Sequence, residues 1–377
     1  MTDINNILTY LESVANNPEK SVAEYLDRTG SKAIGMFPVY TPGEMVHALD
    51  MLPVGIWGAN GVELDLAKQY FPAFCCSIMF TCMELALKGT YKQLSAVIIP
   101  GMCDTLNCIG QNWKSAMKDI PYISMVHPQS RKMEAGVQYL VSEYQYVQKK
   151  LEEIAGKKLT EEALAHSIDV FNENRAALRR FDELASKHPN TINNYYRNRV
   201  IKAGYFMEKE AHTAKVNELN DLLQALPEEK YDGKRVVVSG IIFDSKDILD
   251  VLESNKLRIV GDNVAHETRQ FRTDVPKEGA TGLERLARQW SNIEGCSLAF
   301  DPKKLRGKMV ADLAKERGAD GVIYALMKFC DPEEYDQPIF TDDIREAGIP
   351  MISVEVDQQA TSAEQIRTRI QTFAELL

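Results

Sequence analysis

Seven cysteines are scattered along the 377 residues, at Cys75, Cys76, Cys82, Cys103, Cys108, Cys296 and Cys330. Two of them stand in matching places. Cys103 follows the apolar run Ala96-Val97-Ile98-Ile99-Pro100, and Cys330 follows Gly321-Val322-Ile323-Tyr324-Ala325-Leu326. Each lies a few residues past its run, and each is followed by an aspartate, Asp104 or Asp331. Runs of this kind read as strands buried on both faces of a parallel sheet, and ligands of such sheets bind beyond the carboxyl ends of the strands. A turn opening into a helix there offers partial positive charge, which favours a thiolate, the form that binds metals and attacks electrophiles. Taken singly, either residue is equally at home as an inert buried filler. Their matching placement points instead to one shared site across a cleft between two lobes.

A third cysteine could complete the set. The segment Phe71-Pro72-Ala73-Phe74-Cys75-Cys76-Ser77-Ile78-Met79 holds a proline able to break or start an element, and Cys75 and Cys76 follow it. Cys82, Cys108 and Cys296 read as packing residues. No CxxC pair occurs, so neither a zinc ribbon nor a ferredoxin-type run is supported. Three widely spaced thiolates without a neighbouring histidine favour iron–sulfur ligation over zinc. A fourth iron position left open could bind an outside ligand, or the cluster could relay electrons.

The histidines offer less. His47, His166 and His212 fall in predicted helices and His188 precedes a proline, while His127 ends a strand and His266 follows Asp262. The last two are the better candidates for a ligand or base. GxGxxG, P-loop and GxSxG patterns are absent, and Gly35, Gly55, Gly58 and Gly61 read as isolated turn glycines. Two polar segments, Glu267-Thr268-Arg269-Gln270-Phe271-Arg272 and Asp331-Pro332-Glu333-Glu334, lie near predicted strand ends. They suit a polar layer around a cluster, a partner interface, or a solvated loop.

The elements that must position these residues form three zones. Residues 1–129 alternate short apolar runs (33–37, 53–57, 96–100 and 122–126) with helical stretches at 4–28, 42–52 and 67–88. Residues 130–230 are charged and helical, with Val137, Leu140, Val141, Tyr144, Val147 and Leu151 at helical steps and Thr160 placed to cap a helix. Residues 231–377 return to strands at 235–242, 257–260, 321–326 and 350–354, with helices at 245–253 and 362–377. Strand–helix alternation implies right-handed crossovers. The expected fold is α/β, with two Rossmann-like lobes of parallel sheet joined by a helical segment, and with the core divided between the lobes.

Composition narrows the class. Hydrophobic residues make up 45% and charged residues 26%, as in a globular protein. With 44 basic and 54 acidic residues the net charge is −10, and no basic patch offsets it, so nucleic acid is not an expected partner. No apolar run approaches the ~20 residues of a membrane helix. The first residues, MTDINNILTYLESVANNPEK, lack the pattern of a secretory signal, and the odd cysteine count fits a reducing compartment, so the expected location is cytoplasmic.

The segments FPVYTPGEMVHALDMLPVGIWG, KQYFPAFCCSIM, VIIPGMCDTL, QNWKSA, ETRQFRTDVP, RLARQWSNIEG and MKFCDPEEYD closely resemble the β subunit of the (R)-2-hydroxyacyl-CoA dehydratases of anaerobic fermenting bacteria. That superfamily also contains the benzoyl-CoA reductases, and the resemblance runs over essentially the whole chain. It implies a heterodimer in which each subunit holds one [4Fe-4S] cluster through three cysteines. Matched motif by motif, the ligands here would be Cys76, Cys103 and Cys330. Cys76 is preferred over Cys75 because alanine can stand before the ligand in similar proteins.

The implied reaction removes water from a 2-hydroxyacyl-CoA to give the trans-2-enoyl-CoA. A separate ATP-hydrolysing iron–sulfur activator injects one electron, and the thioester becomes a ketyl radical anion that expels the hydroxyl. The resulting enoxy radical has a far more acidic β-proton, and the electron is recovered for the next turnover. The substrate would meet the α-subunit cluster, leaving this chain's cluster as an electron relay and no acid or base assigned here. Lactoyl-, 2-hydroxyisocaproyl- and phenyllactyl-CoA all suit the resemblance. A flavin is carried by some members, without a motif visible in this chain. Residues 37–57 would line a shared substrate channel or pack around a βα unit. The competing readings are an aryl-CoA reductase subunit and a non-redox zinc–thiolate protein.

Overall fold

The computed structural model describes residues 2–359 and 364–377. The N-terminal helical stretch forms two helices, α1 (Thr2–Asn16) and α2 (Pro18–Thr29). Pro18 stands in the first turn of α2, where its missing N–H costs nothing, and it ends the continuity with α1. The first sheet then builds from β1 (Ala33–Met36), the short helix α3 (Gly43–His47) and β2 (Leu52–Gly55). The expected helix over 42–52 is therefore only one turn. Asp50 adopts a left-handed φ of 56°, which turns the chain into β2.

The expected continuous helix over 67–88 is also broken. A single 3-10 turn at Ala67–Gln69 leads into a loop carrying Pro72, and α4 begins only at Ser77 (Ser77–Leu87). Glu84 on α4 explains the loop's path. Its side chain is fully buried and accepts the backbone N–H groups of Asp65, Leu66 and Ala67 at 3.1, 2.9 and 2.7 Å. Those bonds satisfy amides that a helix would otherwise have paired, so the loop before α4 is tied to α4's own face. The lobe closes with β3 (Ala96–Pro100), α5 (Asp104–Ala116) and β4 (Tyr122–Met125).

Four helices follow: α6 (Glu134–Ala155), α7 (Glu161–Lys187), α8 (Asn194–Ala203) and α9 (Lys209–Gln224). Thr160 caps α7 as its position predicts, accepting Ala163 N–H at 3.1 Å. The second sheet comes from β5 (Lys234–Gly240), α10 (Lys246–Ser254), β6 (Leu257–Val264), α11 (Thr268–Phe271), α12 (Gly282–Asn292), α13 (Arg306–Glu316), β7 (Gly321–Met327), α14 (Asp331–Glu346) and β8 (Met351–Val356). The last helix, α15, covers Glu364–Leu376, and its expected start at Ser362 lies outside the described residues. Strand β6 runs four residues beyond the expected 257–260. Gly261, Asp262 and Asn263 do not look like strand residues, but the polar pair is buried against charged partners.

Both sheets are four-stranded, and their orders are β2-β1-β3-β4 and β6-β5-β7-β8. Every pairing is parallel. The two lobes are thus wound alike. Strand order reverses between β1 and β3 in one and between β5 and β7 in the other, which opens a crevice at the carboxyl edge of each sheet. The apolar interior is not split cleanly between lobes as expected. One contiguous buried cluster reaches from Ile4 on α1 to Phe373 on α15, while a smaller one around Val237, Val260 and Tyr324 covers part of the second sheet. Helix α7 accounts for the continuity, since it packs on α3 and α9 and also on β6 and α11.

Candidate metal centre between the two sheets

The chain after β3 and the chain after β7 behave alike. Cys103 and Cys330 each stand three residues beyond the last residue of their strand, and each is the N-cap of the helix that follows. Cys76 is the N-cap of α4. All three have non-helical backbones, with φ/ψ of −65°/146°, −144°/169° and −95°/88° for Cys76, Cys103 and Cys330. Before Cys330, Phe329 holds a left-handed φ of 60°, a conformation costing a bulky residue about 1–3 kcal/mol.

Ser, Thr, Asp or Asn usually fill the cap position, because their oxygens pair with exposed amides of the first turn. Here sulfur takes that place three times. The thiols face the amides of Met79, Leu106 and Glu333 respectively, three residues on, and each contact eases a negative charge on sulfur. None of the three is short enough to close a cap hydrogen bond.

The three thiols lie within electrostatic reach of one another. Negative charge on Cys103 would raise the pKa of Cys76, and charge on Cys76 and Cys103 would raise that of Cys330. Burial is the larger cause in each case. It pushes Cys76 up to about 12, raises Cys103, and lifts Cys330 well above the ordinary thiol range, Glu333 adding to the last. Without a cation these groups are neutral thiols. A metal bound among them would supply the positive charge that the site lacks.

All three remain partly exposed, whereas Cys75, Cys82 and Cys296 are buried. Cys75, one residue from Cys76, is buried and lies near Cys108, Thr105 and Asp331. Among the described residues no three His, Cys, Asp or Glu side chains are grouped to share a single metal ion.

A buried polar layer backs Cys330. Glu333, fully buried on the first turn of α14, receives Arg306 Nη2 at 2.9 Å and Ser297 Oγ at 2.6 Å. Arg269 Nη2 is 3.6 Å from Oε1, the oxygen that accepts from Ser297. Asn263 at the end of β6 accepts both guanidinium groups, from Arg269 Nη2 at 2.8 Å and Arg306 Nε at 3.2 Å. The arginines hold the Glu333 carboxyl below its ordinary range despite burial. The two polar segments noted in the sequence therefore meet, through Arg269 and Glu333. Arg306 and Ser297 carried no signal in the sequence, because nothing in their own neighbourhoods is unusual.

The histidines serve elsewhere. His127 packs edge-on to Trp290 at 4.7 Å, and His266 lies 4.8 Å from Trp57 and stacks on Tyr205 at 5.0 Å. Burial pushes their pKa values down to about 4 and about 3, so both rings are neutral. His212 is bonded to Asn174 and to Val200 O, and His47 to Ser167 and Glu210. Of residues 37–57, Phe37 and Trp57 are buried and line a cavity apart from the thiols.

Residues 38–377 match the family described as 2-hydroxyglutaryl-CoA dehydratase, D-component. The chain is 46% identical over 377 residues, the whole of both chains, to the (R)-phenyllactyl-CoA dehydratase beta subunit of Clostridium sporogenes. It is 45% identical, again over the whole of both, to the lactoyl-CoA dehydratase subunit beta of Anaerotignum propionicum. Identity to the (R)-2-hydroxyglutaryl-CoA dehydratase, subunit beta, of Acidaminococcus fermentans is 40%, covering 99% of this chain and 100% of the relative. With two matched lobes, three capping thiols and this end-to-end similarity, the chain belongs to the 2-hydroxyglutaryl-CoA dehydratase D-component family.

Proposed function

We propose that the chain is the β subunit of a heterodimeric (R)-2-hydroxyacyl-CoA dehydratase and that Cys76, Cys103 and Cys330 hold one [4Fe-4S] cluster. The observation that supports the reading is the placement of three thiols at the N-caps of α4, α5 and α14, within electrostatic reach of one another, in a chain similar throughout to dehydratase β subunits. When bound, the cluster would supply reversible one-electron transfer, the role of a relay.

The protein's own residues have three tasks. Glu84 fixes the loop that delivers Cys76, and Glu333 with Arg269 and Arg306 fixes the turn that delivers Cys330. The three first-turn amides lie where they stabilise sulfur charge. Partial exposure of the thiols leaves the site within reach of another protein, and exposed Phe74 and Tyr335, at 70% and 83%, flank Cys76 and Cys330 in sequence. The partners in this reading are an α subunit that holds the 2-hydroxyacyl-CoA and an ATP-dependent iron–sulfur activator that docks transiently.

Anaerobic purification tests the centre, with about four irons and four sulfides per chain expected. A colourless protein with one zinc would overturn it. Supplying the activated heterodimer with lactoyl-CoA, phenyllactyl-CoA, 2-hydroxyglutaryl-CoA and benzoyl-CoA tests the reaction. Enoyl-CoA formation is expected from at least one hydroxyacyl thioester, and consumption of benzoyl-CoA alone would assign an aryl-CoA reductase instead.

A further inference from the structure

At the carboxyl ends of β1 and β2, away from the thiols, the chain forms a half-open cavity of about 130 Å³ bounded by α7, α8 and the start of α9. Aromatic side chains, Phe37, Trp57, Phe171, Tyr205 and Phe271, form its apolar part. A dry apolar cavity of ~150 Å³ holds a benzene ring, so this one suits a ring-sized or branched hydrocarbon group.

Three charged residues share the space, and they do not balance. Arg175 pairs with Glu44 and also donates to Asn172 Oδ1 at 2.8 Å. That pair is self-contained. Lys209 adds a second cation. Its ammonium lies 5.5 Å over the Phe171 ring and donates to Gly204 O at 2.6 Å, which uses one of its three hydrogens. Burial and Arg175 push Lys209 down to about 8, with Glu44 acting in the opposite sense. The cavity thus holds two cations against one carboxylate. Tyr40 also lines it, with its hydroxyl near Cys296, Arg269 and Arg272.

We propose that this cavity binds a small monocarboxylate, its carboxylate on Lys209 and its hydrocarbon tail among Phe37, Trp57 and Phe171. An acid of this shape supplies the missing negative charge and fills the apolar volume at once. A neutral amide of the same shape fills the volume only. The inference concerns this chain's own cavity, and it stands or falls separately from the iron–sulfur reading.

Calorimetric titration of the anaerobically purified full-length protein with benzoate, and in parallel with benzamide, tests it. One saturable benzoate site per chain is expected, with benzamide at least about tenfold weaker, the factor that a single hydrogen bond to a charged group supplies. Lys209→Met is expected to weaken benzoate by at least about tenfold and to leave benzamide unchanged. The acid–amide comparison on unaltered protein keeps the test decisive even if the variant folds poorly. Absence of saturable benzoate binding, equal affinity for acid and amide, or full benzoate affinity in folded Lys209→Met would each overturn the proposal.

Discussion

Arg269 Nη2 lies 3.6 Å from Glu333 Oε1, and neither side chain is exposed. This ion pair joins the start of α11 to the first turn of α14, whose N-cap is Cys330. Glu333 N–H bonds Cys330 O at 2.9 Å, so whatever fixes Glu333 also fixes the cysteine. Burying a carboxylate alone is costly, and two guanidinium groups with Ser297 make it affordable here.

Glu333→Gln should therefore be severe. It would leave Arg269 and Arg306 short of negative charge in a buried site, and breaking such a pair from one side costs about 3–5 kcal/mol. Anaerobic chemical denaturation measures this directly. A loss below about 1 kcal/mol would show that the cluster of charges does not anchor α14.

Glu84→Ala should act locally. Three backbone amides, those of Asp65, Leu66 and Ala67, lose their acceptor, at about 1–3 kcal/mol for each one left unsatisfied. Hydrogen exchange across residues 65–76 should rise well above that of α5. Unchanged protection there would mean that Pro72 and packing alone hold the Cys76 loop.

Cys75 and Cys76 are neighbours with different partners, Cys108 and Thr105 near Cys75, and Cys103 and Cys330 near Cys76. Cys76→Ser should lose most of its iron, and Cys75→Ser should keep nearly the full complement. Iron determination with low-temperature EPR on both variants checks the assignment, and the reverse pattern would move the ligand to Cys75.

His266 gives the protein an acid-sensitive element. Burial lowers its pKa from the usual 6.5 to about 3, so the folded state holds the ring neutral while the unfolded chain readily takes a proton. Its contribution is fully present above about pH 6.5 and is lost as the pH falls toward 3. At pH 5 the loss amounts to about 2 kcal/mol relative to neutral pH. His266→Phe keeps an aromatic ring between Trp57 and Tyr205 and removes the proton site. Denaturation at pH 5 and pH 7.5 should show a smaller difference for the variant than for the parent, and an equal difference would place the acid sensitivity elsewhere.

Much of the scaffold was legible in one dimension. Strands such as Ala96–Pro100 and Gly321–Met327 are buried on both faces, so they appear as unbroken apolar runs, and counting past their ends located Cys103 and Cys330 without any structure. Spacing alone placed Thr160 at the head of α7 for the same kind of reason: capping is settled within four residues of chain.

What stayed hidden depends on partners remote along the chain. The break before Ser77 is held by Glu84, and the polar end of β6 is stabilised by arginines from α11 and α13. Lys209 reads as an ordinary helical lysine until folding sets it beside Arg175 in an aromatic cavity. Local sequence determined the strands and the capping positions, because short-range sterics and hydrogen bonding decide those. Only the tertiary structure decided how charges balance, because the energy of a buried charge is set by whatever the fold places around it.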